Sequence, residues 1–268
     1  MIEASEADIA AVPALHKTRQ DIMVLASKAC RRYLEHEPDD VELRRRTAQV
    51  YRYTANVLRL TNAIAAAEPL YQDSVRLYAG LADQFPHEPV HRQKLSETLR
   101  DQAKLQSNVG RLKEATATLG RSIDIAEKAI NEDPDQPNHG RALAAALLNL
   151  AGVETARGAY EQAGKSAARA AQLFRELIAL PAGPGRHGYD PVLLAAALNI
   201  QAVAERECGR LDAAIEMHKE PVKTLFDLTV KTPSGVNRED VAHFHSACQL
   251  ERSRSWMGKA EAKWRQAA

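Results

Sequence analysis

The string with the most explicit chemical meaning is Gly183-Pro-Gly-Arg-His-Gly188, which fits the GxGxxG pattern of dinucleotide-binding loops. Such a loop cradles a pyrophosphate only when it follows a β-strand and opens a helix. Here the helix-like segment Glu176–Leu180 precedes the string, and Pro184 and Pro191 interrupt the region. We therefore interpret it as an extended loop between helical elements and predict no nucleotide cofactor.

Three potential metal ligands lie close together near the C-terminus: His243, His245 and Cys248. On a helix the two histidines point about 200° apart, so only His245 and Cys248 share a face. Two ligands do not complete a tetrahedral zinc site. His36-Glu37 lacks the second histidine of the HExxH pattern, and the proline that follows would break the required helix. We predict no metal and no other cofactor.

Basic residues are densest in Arg31-Arg32 and Arg44–Arg46, but acidic residues surround both runs. This pattern is typical of a solvated, locally compensated helix face. The whole chain carries 36 Lys and Arg against 35 Asp and Glu, a net charge of +1. Because no global field would recruit a polyanion, we predict no nucleic-acid partner. No apolar run of about 18 residues occurs, so we also predict no membrane partner.

Catalytic signatures are missing elsewhere as well. The sequence contains no kinase HRD or DFG string, no nucleophile elbow and no P-loop lysine motif. We therefore predict that the chain is not an enzyme. Its three cysteines, widely spaced and odd in number, fit the reducing cytoplasm better than a disulfide framework.

The elements that could position any of these residues recur with a period near fifty. Asn62, Gly110, Gly158 and Gly209 each precede an alanine five residues later, and the steps between them are 48, 48 and 51 residues. Gly258 fits the same spacing loosely. Glycine and asparagine tolerate the left-handed conformation that ends one helix and lets another begin. Each copy flanks its turn with two helix-period segments and ends at proline, which predicts an all-α fold of stacked antiparallel helix pairs.

This arrangement resembles the tetratricopeptide repeat, with its glycine-bounded turn, small residue in the second helix and closing proline. Tyr51 and Tyr71 occupy the family's aromatic positions most clearly. The resemblance implies a right-handed α-solenoid. The repeat exceeds the usual 34 residues by about 15, as in long-helix variants. Ala67-Glu-Pro-Leu-Tyr71 is similar to kinesin light chain repeats. A closer resemblance, carried by Leu81–Pro89 and Leu147–Val153, is to the arrays attached to bacterial Ser/Thr kinases of the planctomycete kind.

The predicted organisation is a flexible tail at 1–12 followed by a solenoid over 13–268. The solenoid begins with a half repeat at 13–36, which looks like a second helix without its first. The expected units are 37–86, 87–137, 138–191 and 192–240, with a shortened last pair at 241–268. Because a half repeat exposes a face that normally packs on a partner helix, self-association through it is one option, and so is an origin in a longer protein.

In the resembling family, the first helix of each pair lines a concave groove that binds peptides. Asparagine can pair with a peptide backbone, and arginine forks onto carboxylates. Transferred to this sequence, the groove positions with polar side chains are Gln49, Arg52, Asn56, Glu97, Arg100, Asp101, Lys104, Asn149, Asn199, Arg206, Gln249 and Arg252. Leu148, Gly152 and Val203 complete the groove positions.

Three functions remain open. The first is a non-catalytic scaffold that binds a protein or peptide segment in the groove. The second is a regulatory or sensing arm of a larger Ser/Thr kinase-type protein. The third is a receptor for a small ligand or signal peptide.

Overall fold

The computed structural model describes residues 13–181, 188–230 and 238–267, except for the side chains of 13–16, 222, 226–230, 238–240, 242–245, 247, 263, 264, 266 and 267. These residues are helical apart from short connections and contain no strand. The predicted tail at 1–12 and most of the 183–188 string lie outside them. The chain divides into two compact units, Met1–Val109 and Gly110–Ala268.

The first unit contains four helices in the described residues. They are α1 (Pro13–His36), α2 (Val41–Leu60), α3 (Ile64–Gln84) and α4 (Pro89–Asn108). Asp40 caps α2 by accepting a hydrogen bond from the backbone N–H of Leu43 at 2.8 Å, which satisfies one free donor at the helix start. Pro89 occupies the first turn of α4, where its missing N–H costs nothing.

The core of the first unit forms where successive helices touch. Tyr51, Leu58 and Tyr71 are buried together with Leu105, and Val24 of α1 packs against them. These side chains come from all four helices, so each helix is held by its sequence neighbours. The two tyrosines that carry the family resemblance are therefore core residues.

The described residues of the second unit form seven helices: α5 (Leu112–Glu132), α6 (Pro137–Ala156), α7 (Tyr160–Ala179), α8 (Asp190–Glu207), α9 (Leu211–Met217), α10 (Lys219–Val230) and α11 (Arg238–Ala267). Phe174 is fully buried against Leu147 and Leu198. Arg141 of α6 forks onto Asp190 of α8 at 2.9 and 2.8 Å, which ties two first helices of successive pairs together.

The predicted turns have the expected conformation. Gly110, Gly158 and Gly209 have φ values of 77°, 74° and 80°, and Asn62 has 60°. The alanines five residues later, Ala67, Ala115, Ala163 and Ala214, are fully buried. A side chain with no more than a methyl group thus lets the second helix lie against the first.

The last predicted turn was wrong. Gly258 lies inside the continuous helix α11, so a single helix replaces the expected shortened pair. Strong helix formers follow it in Lys259–Ala262, and one helical glycine costs only about 1 kcal/mol. A second difference is the break at His218 between α9 and α10. Pro221 has no N–H to donate to the Met217 carbonyl, so the helix cannot run on unchanged.

Candidate protein-interaction groove

The predicted groove positions of the first unit are occupied by an internal ion-pair network. Arg52 of α2 reaches across to α4, where its Nε donates to Asp101 Oδ2 at 2.8 Å and its terminal nitrogen donates to Glu97 Oε2 at 2.5 Å. The three side chains retain only 17%, 12% and 17% exposure, respectively. Arg52 therefore joins two neighbouring first helices.

Further hydrogen bonds surround this arginine. Asn56 Nδ2 donates to Asp101 Oδ2 at 3.0 Å, and the Tyr71 hydroxyl donates to Asn56 Oδ1 at 2.7 Å. Lys94 lies 3.0 Å from Glu97. Burial alone would raise the pKa of Asp101, but the Arg52 guanidinium and the Asn56 hydrogen bond hold it below its ordinary value. Both carboxylates are thus stabilised as anions within the fold.

Arg100 lies beside this network, close to both of its carboxylates. Its Nε is buried without a hydrogen-bond partner among the described residues. Burial lowers the pKa of Arg100, while the nearby Glu97 and Asp101 oppose that change. Lys104 lies 3.6 Å from Asp101 with its side chain 46% exposed, and burial together with Arg100 lowers its pKa. Gln49 is half-buried on α2.

In the second unit, predicted groove residues line an open pocket of about 480 Å³. Gly152 comes from α6, and Asn199, Val203 and Arg206 come from α8. The remaining lining residues are Thr155, Tyr160, Ile200, Glu207, Leu250, Glu251 and Arg254. The first helices of three successive pairs, α6, α8 and α11, therefore contribute to one concavity.

The chemistry of this pocket is mixed. Its walls include Ile200, Val203 and Leu250, while Asn199 Oδ1 is buried without a hydrogen-bond partner among the described residues. Arg206 pairs with Glu207 at 2.6 Å and also with Glu251. Burial alone would lower the pKa of Arg206, but its hydrogen bonds to these two carboxylates raise it. The pocket thus combines apolar walls, the side-chain amide of Asn199 and an arginine whose charge is balanced by two carboxylates.

Four predicted residues of the second unit do not line the pocket: Leu148, Asn149, Gln249 and Arg252. Leu148, Asn149 and Arg252 are half-buried on α6 and α11, and Gln249 is exposed on α11. In α11 the lining residues are Leu250, Glu251 and Arg254 instead. The turn expected at Gly258 does not form. The repeat pattern therefore had no fixed reference there.

One buried polar side chain near the pocket was not anticipated. His218 is fully buried at the break between α9 and α10, and neither ring nitrogen has a hydrogen-bond partner among the described residues. Burial lowers the pKa of His218 to about 4, with the nearby Arg206 and Arg252 acting in the same direction and Glu251 opposing them. The imidazole is therefore neutral at pH 7.

The apparent metal ligands do not assemble into a site among the described residues. The side chains of His243 and His245 are outside those residues. Cys248 is buried, and burial raises the pKa of its thiol to about 11. The basic run is compensated as expected, because Arg45 and Arg46 both pair with Glu42, at 2.7 and 2.5 Å.

No described helix is both long enough and apolar enough to cross a membrane.

Known proteins match this chain only at the level of structure. No family model and no curated protein matches the sequence. The crystal structure of BtubC (BKLC) from P. vanneervenii aligns over 92% of each chain with a TM-score of 0.57 and 16% identity. A putative kinesin light chain of nearly identical TPR-like repeats from Podosopora anserina covers 82% of this chain and 90% of its own, with a TM-score of 0.48 and 16% identity. The alignment with yeast Tom70 covers 90% of this chain and 62% of the Tom70 chain, with a TM-score of 0.24 and 12% identity.

At such identities the likeness to BtubC establishes the fold alone. The described residues have an all-α fold in which, within each unit, antiparallel helices pack in sequence order, as in tetratricopeptide-like proteins. The predicted fold class is confirmed. The resemblance to kinase-associated arrays stays a prediction.

Proposed function

We propose that this protein is a non-catalytic interaction scaffold that binds an extended or helical peptide segment in the pocket of its second unit. The observation that supports this most directly is the pocket of about 480 Å³ lined by α6, α8 and α11. Repeated helix pairs of this kind present extended binding surfaces made of successive repeats. The side-chain amide of Asn199, a lining residue, would pair with the peptide backbone, and the apolar walls would hold the peptide's side chains.

A steric block at Gly152 tests this proposal. Gly152 is exposed in the pocket, and a Cβ added there meets no atom within 4 Å. Gly152→Trp should therefore fill the pocket without disturbing the fold. Gly140, near the start of the same helix, also has free space around an added Cβ but does not line the pocket. Gly140→Trp is thus a matched control.

The probe is a peptide selected from a random phage-displayed library against the full chain, with its affinity measured by fluorescence anisotropy. We expect Gly152→Trp to weaken binding about tenfold or more, equal to about 1.4 kcal/mol, and Gly140→Trp to leave it unchanged. Selected peptides that bind both variants equally well would exclude the pocket as the binding site. A library that yields no binder would count against the scaffold function itself.

A cavity in the first unit favours the small-ligand receptor as a second candidate. It measures about 620 Å³ and is lined by Arg19, Met23, Tyr53, Asn56, Val57, Leu60 and Thr61. Small-molecule sites typically have this size, apolar walls and a few polar groups. A metabolite library screened by thermal shift tests it, since a ligand of the folded state raises the melting temperature. A hit that Leu60→Arg does not abolish would be assigned elsewhere.

The regulatory-arm hypothesis rests on the sequence resemblance to kinase-attached arrays. Reading the gene upstream of residue 1 tests it. A catalytic kinase domain in the same reading frame would support it, and an in-frame stop codon directly upstream would refute it. In either case we propose a cytoplasmic location, because Cys30, Cys208 and Cys248 are all free thiols, and we propose neither nucleic acid nor membrane as a partner.

A further inference from the structure

Helix α1 carries an apolar stripe that no described helix covers. Ile22, Leu25 and Tyr33 are 59%, 69% and 66% exposed, and Ala29 between them is exposed as well. At about 100° per residue, these four positions lie within about 80° of the helix circumference. The opposite face of α1 packs on α2, where Val24 joins the core. A lone exposed leucine is ordinary, but a continuous stripe indicates a contact surface.

Two unpaired charges flank this stripe on the same side. Asp21 lies near one end and Arg32 near the other, and both are exposed. Neither forms an ion pair or side-chain hydrogen bond with another residue that the structure describes. Arg31, by contrast, faces the fold and lies 3.6 Å from Asp73. Asp21 and Arg32 are therefore a negative and a positive charge at opposite ends of one flank, each without a partner among the described residues.

The pattern is complementary to itself when two copies of α1 run antiparallel. We place the two-fold axis at the level of Ser27 along the helix. Leu25 then lies level with Ala29 of the second copy, so a large side chain meets a small one on both sides of the axis. Ile22 comes within one residue's rise, about 1.5 Å, of the level of Tyr33 of the second copy.

The same symmetry brings opposite charges together. The antiparallel two-fold places the Asp21–Arg32 flanks of both copies on the same side of the contact. Asp21 of one copy then comes level with Arg32 of the other to within about 1.5 Å along the helix axis. The contact contains this pair twice. A parallel two-fold would instead exchange the flanks, so Asp21 and Arg32 would each lie level with their own copy on the far side of the contact and would meet no opposite charge. The charges thus favour a second copy and specify its direction.

We propose that α1 is a homodimerisation helix that pairs antiparallel with α1 of a second copy through Ile22, Leu25, Ala29 and Tyr33, flanked by two Asp21–Arg32 ion pairs. The contact lies in the first unit and uses none of the residues of the second-unit pocket. A dimer would present that pocket twice, which raises avidity for a partner with two matching segments. The inference does not depend on the proposed peptide binding.

Sedimentation velocity over a concentration series tests the surface. We expect the wild-type chain to shift from monomer to dimer, and Leu25→Glu to stay monomeric with unchanged helical circular dichroism, because this side chain makes few contacts in its own chain. Leu250→Glu, at a site 53% exposed on α11, is the matched control and should still dimerise. A wild-type chain that is monomeric throughout would overturn the proposal. So would a dimer that is lost in Leu250→Glu but kept in Leu25→Glu.

A charge exchange tests the direction of pairing. Asp21→Arg alone and Arg32→Asp alone should each weaken the dimer, because each places like charges opposite one another. A mixture of the two single variants should form a heterodimer, since every cross-pair is then complementary. The double variant Asp21→Arg with Arg32→Asp should recover the wild-type dimer. Failure of the mixture to associate, with each variant folded, would refute the antiparallel contact.

Discussion

The predicted groove positions on the first helices of the pairs have different roles in the two units. In the first unit they carry charges of both signs, and Arg52 pairs with both Glu97 and Asp101 in a nearly closed network. In the second unit, Gly152, Asn199 and Val203 leave an open pocket. Residue types that looked most suited to binding a charged partner are therefore engaged inside the fold. The positions with small or neutral side chains are the ones left accessible.

The largest predicted effect is the loss of Arg52. Arg52→Met would leave Glu97 and Asp101 buried beside each other without their main counter-charge. Removing one partner of a buried ion pair costs about 3–5 kcal/mol, and we expect a loss in that range from the free energy of unfolding in urea. Arg45→Met is the control, since the Arg45–Glu42 pair is exposed to solvent and such pairs contribute little to stability. Equal losses for both variants would contradict the view that the network holds α2 to α4.

Acid should weaken the second unit at a higher pH than the first. His218 has an ordinary pKa of 6.5, which burial lowers to about 4 in the folded chain. Between these values the unfolded chain binds a proton that the folded chain does not, so the free energy of unfolding falls as the pH drops from 6.5 towards 4. A shift of this size amounts to about 3 kcal/mol. In the first unit, folding lowers the pKa values of Glu97 and Asp101. These two groups therefore reduce the free energy of unfolding only when the pH falls below the ordinary pKa of a carboxylate, about 4.

Fluorescence separates the two units in this experiment. Both tryptophans, Trp256 and Trp264, belong to the second unit, whereas circular dichroism reports helices of both. We expect the fluorescence-detected urea midpoint to fall first on acidification, and His218→Leu to remove most of that fall between pH 6.5 and 4. An unchanged pH profile in His218→Leu would show that another group causes it.

The local repeat could be predicted from the sequence, whereas the contacts between repeats could not. A left-handed glycine followed by a buried alanine is a short-range pattern, and it holds from Gly110 to Gly209. Arg52 pairs with residues 45 and 49 positions away, and that pairing depends on how α2 faces α4. The register of α11 failed for a related reason, because no turn at Gly258 fixes it. Thus the repeat pattern names candidate groove positions, but it does not tell which of their side chains are already engaged in ion pairs.

Substitution at the repeat turns should have intermediate effects that differ between the units. Gly158→Ala puts a Cβ into a left-handed backbone of φ 74°, which costs about 1–2 kcal/mol. No atom lies within 4 Å of that Cβ, so the backbone alone is responsible. At the equivalent turn of the first unit, Asn62 already has a φ of 60°. Asn62→Gly should therefore change the free energy of unfolding by less than about 1 kcal/mol. Urea denaturation of both variants measures this, and a larger loss for Asn62→Gly would indicate that the asparagine side chain stabilises its turn.

The smallest stability effect should come from Asn199, and it tests the comparison most sharply. Its Oδ1 is buried without a partner in the described structure, so the folded chain gains little from this oxygen. Asn199→Leu should leave the free energy of unfolding unchanged or raise it by up to about 1 kcal/mol, while it weakens binding of the selected peptide. Asn56→Leu in the first unit should have the opposite outcome, because it removes hydrogen bonds to Asp101 and Tyr71 and costs stability without affecting that peptide. If Asn199→Leu destabilised the chain as much as Asn56→Leu, the amide would be a structural residue, and the second-unit pocket would be closed in solution as the first-unit network is.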